Sequence, residues 1–208
     1  MAVTPFDISA FKSGGLTLGG ARSSLFQVVF GATGTTLDTL SSNLNLTGQD
    51  KFSFTCRGAS IPPATIGVIE APYFGRRLPL AGDRTFPPWT VTVMNDEDWS
   101  VRSLFESWSN ALNSLQSNVR SPAFVNGEDN YKADFSVLQY SKTGSVIAQY
   151  QIIGAWPSQV DPIQLDWDNQ NQIETFGVTL TYDYWLPDQT TDASEPNSYY
   201  TAAVTDPS

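Results

Sequence analysis

Residues 172–185 alternate apolar and polar side chains over almost their whole length. Successive side chains of a strand point to opposite faces, so this period of two predicts a long strand with one buried face. The apolar face is predicted to carry Phe176, Val178, Leu180, Tyr182 and Tyr184. A strand with one apolar face has to lie in a sheet that covers a hydrophobic core, and this requirement makes the chain a β protein.

A second segment, residues 89–113, changes its period in the middle. Apolar residues alternate with threonines up to Met94, whereas from Val101 onward they recur with the spacing of one helical face. The pattern predicts a strand at residues 89–94 and a helix at residues 100–116. Asn95 is expected to cap this helix, with three acidic residues in its first turn. The core is predicted to contain Trp89, Phe105, Trp108, Phe176 and Leu180.

Further strands are predicted at residues 25–30, 51–57, 131–140 and 144–153, while residues 59–88 are predicted to be irregular because turn signals interrupt them. Arg76 and Arg77 stand side by side in this stretch, and they suit either a solvated turn or an acidic patch on a partner. Six or seven strands with one principal flanking helix predict a mainly β fold, an antiparallel β-sandwich or barrel.

The length of 208 residues suits one domain with a sizeable core. We expect that domain at residues 1–186, with an N-terminal arm (1–24) and a long loop (31–50), followed by an acidic C-terminal extension (187–208). Neither a signal peptide nor a membrane-spanning run is expected. The single cysteine, Cys56, is predicted to be a structural thiol, which suits a reducing compartment.

The formal net charge of −10 is unevenly distributed along the chain. Residues 1–120 hold as many basic as acidic side chains, whereas residues 121–208 hold two basic and twelve acidic ones. An acidic surface repels nucleic acid, so a function that reads sequence or grips phosphates is disfavoured.

The chain has no histidine, which removes the commonest general base, the commonest zinc ligand and the Ser-His and Cys-His nucleophile pairs. A pair of carboxylates acting as a glycosidase is the catalytic option left. The segment that begins at Asp166 resembles a calcium loop, but Asn171 and Gly177 stand where that loop needs Gly and Glu. We therefore expect no enzyme activity, no metal and no cofactor.

Four blocks carry a family resemblance: LFQVVF at Leu25, FTCRGASIPPATIG at Phe54, LAGDRTFPPWTVTVMNDED at Leu80, and GAWPSQVDPIQLDWDNQNQIETFGVTLTYDYW at Gly154. In this order they resemble the tail tube proteins of contractile-tailed bacteriophages. The resemblance implies homohexameric rings that stack into a hollow tube inside a contractile sheath and conduct the genome into the host.

The resemblance also implies the partners of such a subunit. They are further copies of the chain, the tail sheath protein, the baseplate and tail-terminator proteins, and, transiently in the lumen, the tape measure protein and double-stranded DNA. The protein is expected in the virion tail after assembly in the host cytoplasm. Two alternatives remain: a tube initiator or terminator of the baseplate or neck, and a carbohydrate-binding β-sandwich, suggested by the abundant Trp and Tyr.

Three sets of interface residues follow from these expectations. A closed barrel leaves no free edge for stacking, so inter-ring contacts are expected from the N-terminal arm and the long loop, through Thr36, Leu37, Asp38, Leu44 and Leu46. Tyr199 and Tyr200 are expected to anchor the C-terminal extension on a neighbouring subunit. The lumen is expected to be net negative or neutral, and its candidate lining is Gln149, Gln151, Thr179, Thr181 and Asp183.

Overall fold

A computed structural model of the chain describes residues 20–30, 49–122, 131–168 and 170–188. Within these ranges lie nine strands and two helices. The strands are β1 (Phe26–Phe30), β2 (Cys56–Ala59), β3 (Thr65–Tyr73), β4 (Arg76–Thr85), β5 (Trp89–Met94), β6 (Ala133–Tyr140), β7 (Val146–Val160), β8 (Thr175–Thr181) and β9 (Tyr184–Asp188). The helices are α1 (Gln49–Thr55) and α2 (Ser100–Leu112). The fold is mainly β with antiparallel pairing, as the sequence predicts.

Seven strands form one sheet in the order β1-β6-β7-β8-β5-β2, with β9 paired to β7. Strand β7 belongs to both halves of this sheet, because its first part pairs with β6 and β9 and its last part pairs with β8. No hydrogen-bonded pair of the described strands joins β1 to β2. Helix α1 packs against both of these end strands instead.

The core lies between the sheet and the two helices. The five residues that the sequence places there are all buried: Trp89, Phe105, Trp108, Phe176 and Leu180. Phe30 and Phe135 meet edge to face with their ring centroids 4.7 Å apart, within a larger aromatic cluster. The buried indole N–H of Trp108 donates to the carbonyl of Tyr131 at 2.9 Å, which satisfies its one polar group.

The predicted strand at residues 51–57 is wrong in its first part, which is helix α1. The alternation of Phe52 and Phe54 suggests a strand that buries both phenylalanines on one face. In the helix the two side chains diverge, so Phe52 is fully buried and Phe54 is exposed. An apolar run this short fits both the strand period and the helix period. Packing against β1 selects the helix.

Residues 59–88 are also more regular than predicted, because they include the antiparallel hairpin β3–β4. Its register shifts between Ile66 and Val68, at Gly67. Both faces of both strands carry exposed apolar side chains. Without a buried face the segment has no alternation of apolar and polar residues, which explains why its pattern does not identify it as strand.

The cap of α2 differs from the prediction as well, although the helix starts at Ser100 as predicted. The three acidic residues precede the helix, and Trp99 occupies the N-cap position with a φ of 55°. The carboxylate of Asp98 accepts the backbone N–H of Ser100 at 3.0 Å. Asn95 does not cap the helix but donates its side-chain amide to the carboxylate of Glu174 at 3.1 Å. The helix ends at Leu112, where Asn113 turns to an extended conformation.

The predicted single final strand is divided into β8 and β9 by residues 182–183. At this division Gly154 of β7 has a φ of 69°, and its N–H donates to the carboxylate of Asp134 at 2.9 Å. Asp183 donates its backbone N–H to Ile153 at 3.0 Å and forms an ion pair with Lys132 at 2.8 Å. Strand β7 therefore changes from one half of the sheet to the other at a glycine whose positive φ and close approach to the Asp183 carboxylate disfavour a side chain.

Candidate assembly surfaces

The chemically reactive side chains of the described residues include the carboxylates and one free thiol. Among them, no three His, Cys, Asp or Glu side chains lie close enough to hold a metal ion. Burial raises the pKa of the Cys56 thiol to about 12, so this group stays protonated at neutral pH and is a poor nucleophile. In the described ranges no helix has the length and apolar character to cross a bilayer. The features that remain to be explained are apolar surfaces.

The first surface is the hairpin of β3 and β4. Beyond its own two strands it makes no more than marginal contact with the other described elements, so it projects from the body of the subunit. Seven of its large apolar side chains are exposed: Ile66, Val68, Ile69, Tyr73, Phe74, Leu78 and Leu80. Apolar exposure on this scale marks a surface that a partner covers.

The tip of the hairpin is a two-residue turn formed by Phe74 and Gly75, with φ values of 40° and 80°. Turns of this kind favour Asn-Gly, because both central residues adopt a positive φ. Phe74 is nevertheless placed there with 94% of its surface exposed, and its ring lies 4.8 Å from the ring of Tyr73. Phe74 therefore combines an unfavourable backbone conformation with almost complete exposure to solvent.

The second surface is the loop of residues 161–174, called here the acidic loop and described except for residue 169. Trp167 is 98% exposed, and Leu165 and Ile173 are exposed beside it. Together with neighbouring residues they line a pocket of about 500 Å³. The loop carries four carboxylates and no basic residue.

Both ends of the acidic loop are fixed to the body of the subunit. Asp161 donates its N–H to the carbonyl of Gly177 at 2.8 Å, and its own carbonyl accepts the guanidinium of Arg102 at 2.6 Å. At the other end, the N–H of Asn95 donates to the carbonyl of Glu174 at 2.9 Å. The loop is therefore held in position by the sheet and by α2.

The hairpin and the acidic loop lie at opposite ends of the same pair of strands. Strand β5 pairs with β8 from Trp89 opposite Leu180 to Met94 opposite Thr175. The hairpin leads into β5 at its Trp89 end, whereas the acidic loop leads into β8 at its Thr175 end. Five residue steps of a strand separate the two ends, which corresponds to about 17 Å.

The candidate lumen residues lie on both halves of the sheet. Gln149 and Gln151 pair with residues of β9 and β6. Thr179 lies on the other half, where its hydroxyl is 3.1 Å from that of Thr90, and Thr181 is paired with Trp156. Asp183 lies between the strands in its ion pair with Lys132. The five residues are thus distributed over both halves of the sheet.

The other predicted interface residues lie outside the described residues. They are the inter-ring candidates Thr36, Leu37, Asp38, Leu44 and Leu46, the N-terminal arm up to residue 19, and the tail anchors Tyr199 and Tyr200. The apolar surfaces at Phe74 and Trp167 are not predicted from the sequence. The available signals were an aromatic residue directly before a turn glycine and a Trp between two aspartates in a segment without period.

A mainly β subunit with unpartnered apolar segments at two opposite ends belongs to the class of structural proteins that assemble with further chains. Residues 21–188 match the family model described as phage tail tube protein. The chain is 35% identical to tail tube protein gp19 of Enterobacteria phage T4 over 179 residues, which are 85% of this chain and 94% of that relative. The chain therefore belongs to the phage tail tube protein family.

Solved structures share the fold at low sequence identity. The cap of the anti-feeding prophage, which terminates its tube, matches with a TM-score of 0.58 and 18% identity over 91% of this chain and 99% of that one. The six-fold symmetrised baseplate of the same prophage gives a TM-score of 0.53 at 12% identity over 83% and 97%. The sheath-tube complex of an extracellular contractile injection system matches with a TM-score of 0.52 and 14% identity over 88% of this chain and 98% of that one.

Family membership confirms the resemblance drawn from the four sequence blocks. The relatives are structural proteins of the tail tube and not enzymes. The chain is accordingly a structural protein of the virion tail.

Proposed function

We propose that the chain is the repeating subunit of the tail tube and that six copies form a ring. Rings then stack into a hollow tube inside a contractile sheath. The observation that carries this proposal is the projecting hairpin, which exposes apolar side chains on both faces and has no partner layer within the described subunit. Covering such a surface is favourable by roughly 25 cal/mol per Å² of apolar area removed from water, and further copies of the chain can cover it in every ring.

The similarity to gp19 favours the main tube subunit over a tube initiator or terminator. The shared fold does not separate these possibilities, because a tube-terminating cap and a sheath-tube complex both have it. Identity of 35% over nearly the whole length of gp19 is the more specific finding. We propose sheath, baseplate and terminator partners because similar folds occur in such assemblies.

Assembly of the purified protein tests this function. Negative-stain electron microscopy combined with sedimentation velocity is expected to show hollow tubes, or rings that convert to tubes as the protein concentration rises. A protein that stays monomeric at every concentration and binds glycans would support the carbohydrate-binding alternative and refute the proposal.

We also propose that the tube conducts double-stranded DNA after the tape measure protein, through a lumen that presents little positive charge. Each phosphate bound by a Lys or Arg adds affinity and therefore drag. Gln149, Gln151, Thr179, Thr181 and Asp183 remain the proposed lining. The two halves of the sheet allow a paired test of which of them faces the bore.

This test compares particles that carry Gln149→Lys/Gln151→Lys with particles that carry Thr179→Lys/Thr181→Lys. The pair that faces the lumen is expected to slow DNA ejection, and added salt is expected to relieve the delay. Asp183→Lys is a poor probe, because it also removes the ion pair with Lys132. Unchanged ejection for both pairs, in particles with normal tubes, would refute this lining.

Two sets of proposed contact residues lie outside the described residues and belong to the proposed tube assembly. Thr36, Leu37, Asp38, Leu44 and Leu46 are proposed to add inter-ring contacts, and Tyr199 and Tyr200 are proposed to hold the C-terminal extension on a neighbour. Limited proteolysis tests the extension. Protection in tubes with cleavage in free subunits is expected, and equal cleavage in both would contradict it.

A further inference from the structure

We propose that the hairpin tip of one subunit docks into the pocket of the acidic loop on a subunit of the next ring. This inference rests on the proposed stacking of rings and names the two surfaces that meet. The occupant of the pocket is thus a second copy of this chain.

The positions of the two surfaces support this pairing. They lie at opposite ends of the strand pair β5–β8, so a neighbour displaced along these strands presents its acidic loop towards the hairpin. The hairpin strands are nine and ten residues long, which gives the tip a reach of about 30 Å from the body. A contact between two different surfaces leaves one of each kind free after every addition. Such a contact produces an open polymer with a direction instead of a closed dimer.

The size of the pocket and the apolar residues on both surfaces also suit this contact. The tip presents the adjoining rings of Tyr73 and Phe74, while the pocket presents Leu165, Trp167 and Ile173. The pocket volume of about 500 Å³ lies in the range that holds ligands of drug size, roughly 300–1,000 Å³, so it has room for an aromatic pair. Aromatic residues that fill a pocket are typical anchors of protein interfaces.

The charges are complementary. The hairpin carries three arginines against two carboxylates, and Arg76 directly follows the tip turn. Arg77 is held by Glu70 of the opposite strand at 2.5 Å, whereas no ion pair among the described residues involves Arg76. The acidic loop faces this positive tip with four carboxylates. Opposite charges across an interface select the correct partner surface and orientation.

Two truncations test the contact, each on one surface. Phe74→Ala removes the aromatic anchor of the hairpin and leaves the acidic loop intact. Trp167→Ala damages the pocket of the acidic loop and leaves the hairpin intact. Each variant alone is expected to fold normally, because both side chains are almost fully exposed, and to form no long tubes. Mixing the two variants is expected to yield short complexes that neither variant forms alone, since one intact hairpin can then reach one intact loop. Leu115→Ala removes a side chain that is 90% exposed elsewhere and serves as the matched control.

A charge exchange provides an independent test. Arg76→Glu and Asp168→Arg are each expected to reduce tube length, and the double variant is expected to restore it. Asp168 suits this purpose better than Asp166, because the carboxylate of Asp166 accepts the backbone N–H of Asp168 at 3.0 Å and shapes the turn.

The outcomes separate this inference from the proposed function. If wild-type protein forms tubes and Trp167→Ala forms them equally well, the acidic loop is not the receiving surface and the inference is overturned, while stacking stands. The inference is also overturned if the double charge variant forms tubes no longer than those of either single variant. If wild-type protein itself forms no rings or tubes, the proposed function fails.

Discussion

At the scale of single residues, Trp108 shows how the core depends on one aromatic side chain. It is fully buried, its indole N–H is satisfied by Tyr131, and its ring lies 5.7 Å from that of Phe30. Trp108→Ala is expected to lower the free energy of unfolding by about 3–5 kcal/mol, because it removes these contacts and leaves a cavity. Urea denaturation measures the change.

Trp167→Ala is the matched control, since this Trp is exposed and is expected to change the free energy of unfolding by no more than about 0.5 kcal/mol. Similar losses for the two variants would show that Trp108 does not hold the core.

Gly154 is a second residue whose identity is fixed by its surroundings. Its φ of 69° is unfavourable for any side chain, and a Cβ there would collide with the carboxylate of Asp183. Gly154→Ala is expected to destabilise the fold by more than Gly144→Ala, which has a φ of 86° but open space around it. In both variants the positive φ strains the new alanine by about 1–2 kcal/mol. Thermal unfolding measured side by side checks this, and equal losses would mean that the contact with Asp183 is irrelevant.

At the scale of elements, an ion pair joins α1 to the turn that precedes α2. Lys51 contacts the carboxylates of Asp96, at 3.1 Å, and of Asp98. Hydrogen bonding to Lys51 lowers the pKa of Asp98 from 3.8 to about 2, and Asp98 in turn raises the pKa of Lys51 above 10.5. The contribution of Asp98 to stability is present above about pH 4 and is lost as the pH falls towards 2. The contribution of Lys51 is present below about pH 10.5 and is lost as the pH rises through its higher pKa.

Lys51→Met is therefore expected to lower the melting temperature slightly and by a constant amount between pH 5 and 9, and by less as the pH approaches 2. The effect is small because these charges are exposed to solvent. Lys142→Met removes an equal charge from an exposed turn and is expected to lack this pH dependence. A constant difference down to pH 2 would contradict the assignment.

The hairpin is the element whose removal separates folding from assembly. Its first and last residues, Thr65 and Thr85, are paired, so a short Gly-Ser link between residues 64 and 86 can replace it. The shortened subunit is expected to keep its cooperative unfolding, because the hairpin contributes little to the core. It is expected to form no long tubes in electron micrographs. Tubes of normal length, or an unfolded chain, would contradict this division of roles.

The sequence predicts elements well where one face is buried. Strand β5 and the apolar face of β8 follow the alternation, and the start of α2 at Ser100 follows the change of period. The hairpin and α1 were missed for physical reasons. The hairpin has no buried face, and only the packing of Phe52 shows that α1 is a helix. Assembly surfaces leave no chemical motif, so Phe74 and Trp167 become conspicuous only when their exposure is known.

At the scale of the whole molecule, the acidic charge and the exposed apolar surfaces have distinct positions. The acidic excess lies entirely in residues 121–208, which include the acidic loop. That loop and the hairpin occupy opposite ends of one strand pair, and this arrangement suits head-to-tail growth.

A cryo-electron microscopy reconstruction of the assembled tube tests the central claim most directly. The account predicts rings of six subunits stacked around an open bore, with the β3–β4 hairpin of each subunit buried between rings. A tube in which these hairpins remain exposed to solvent, or an assembly without stacked rings, would contradict it.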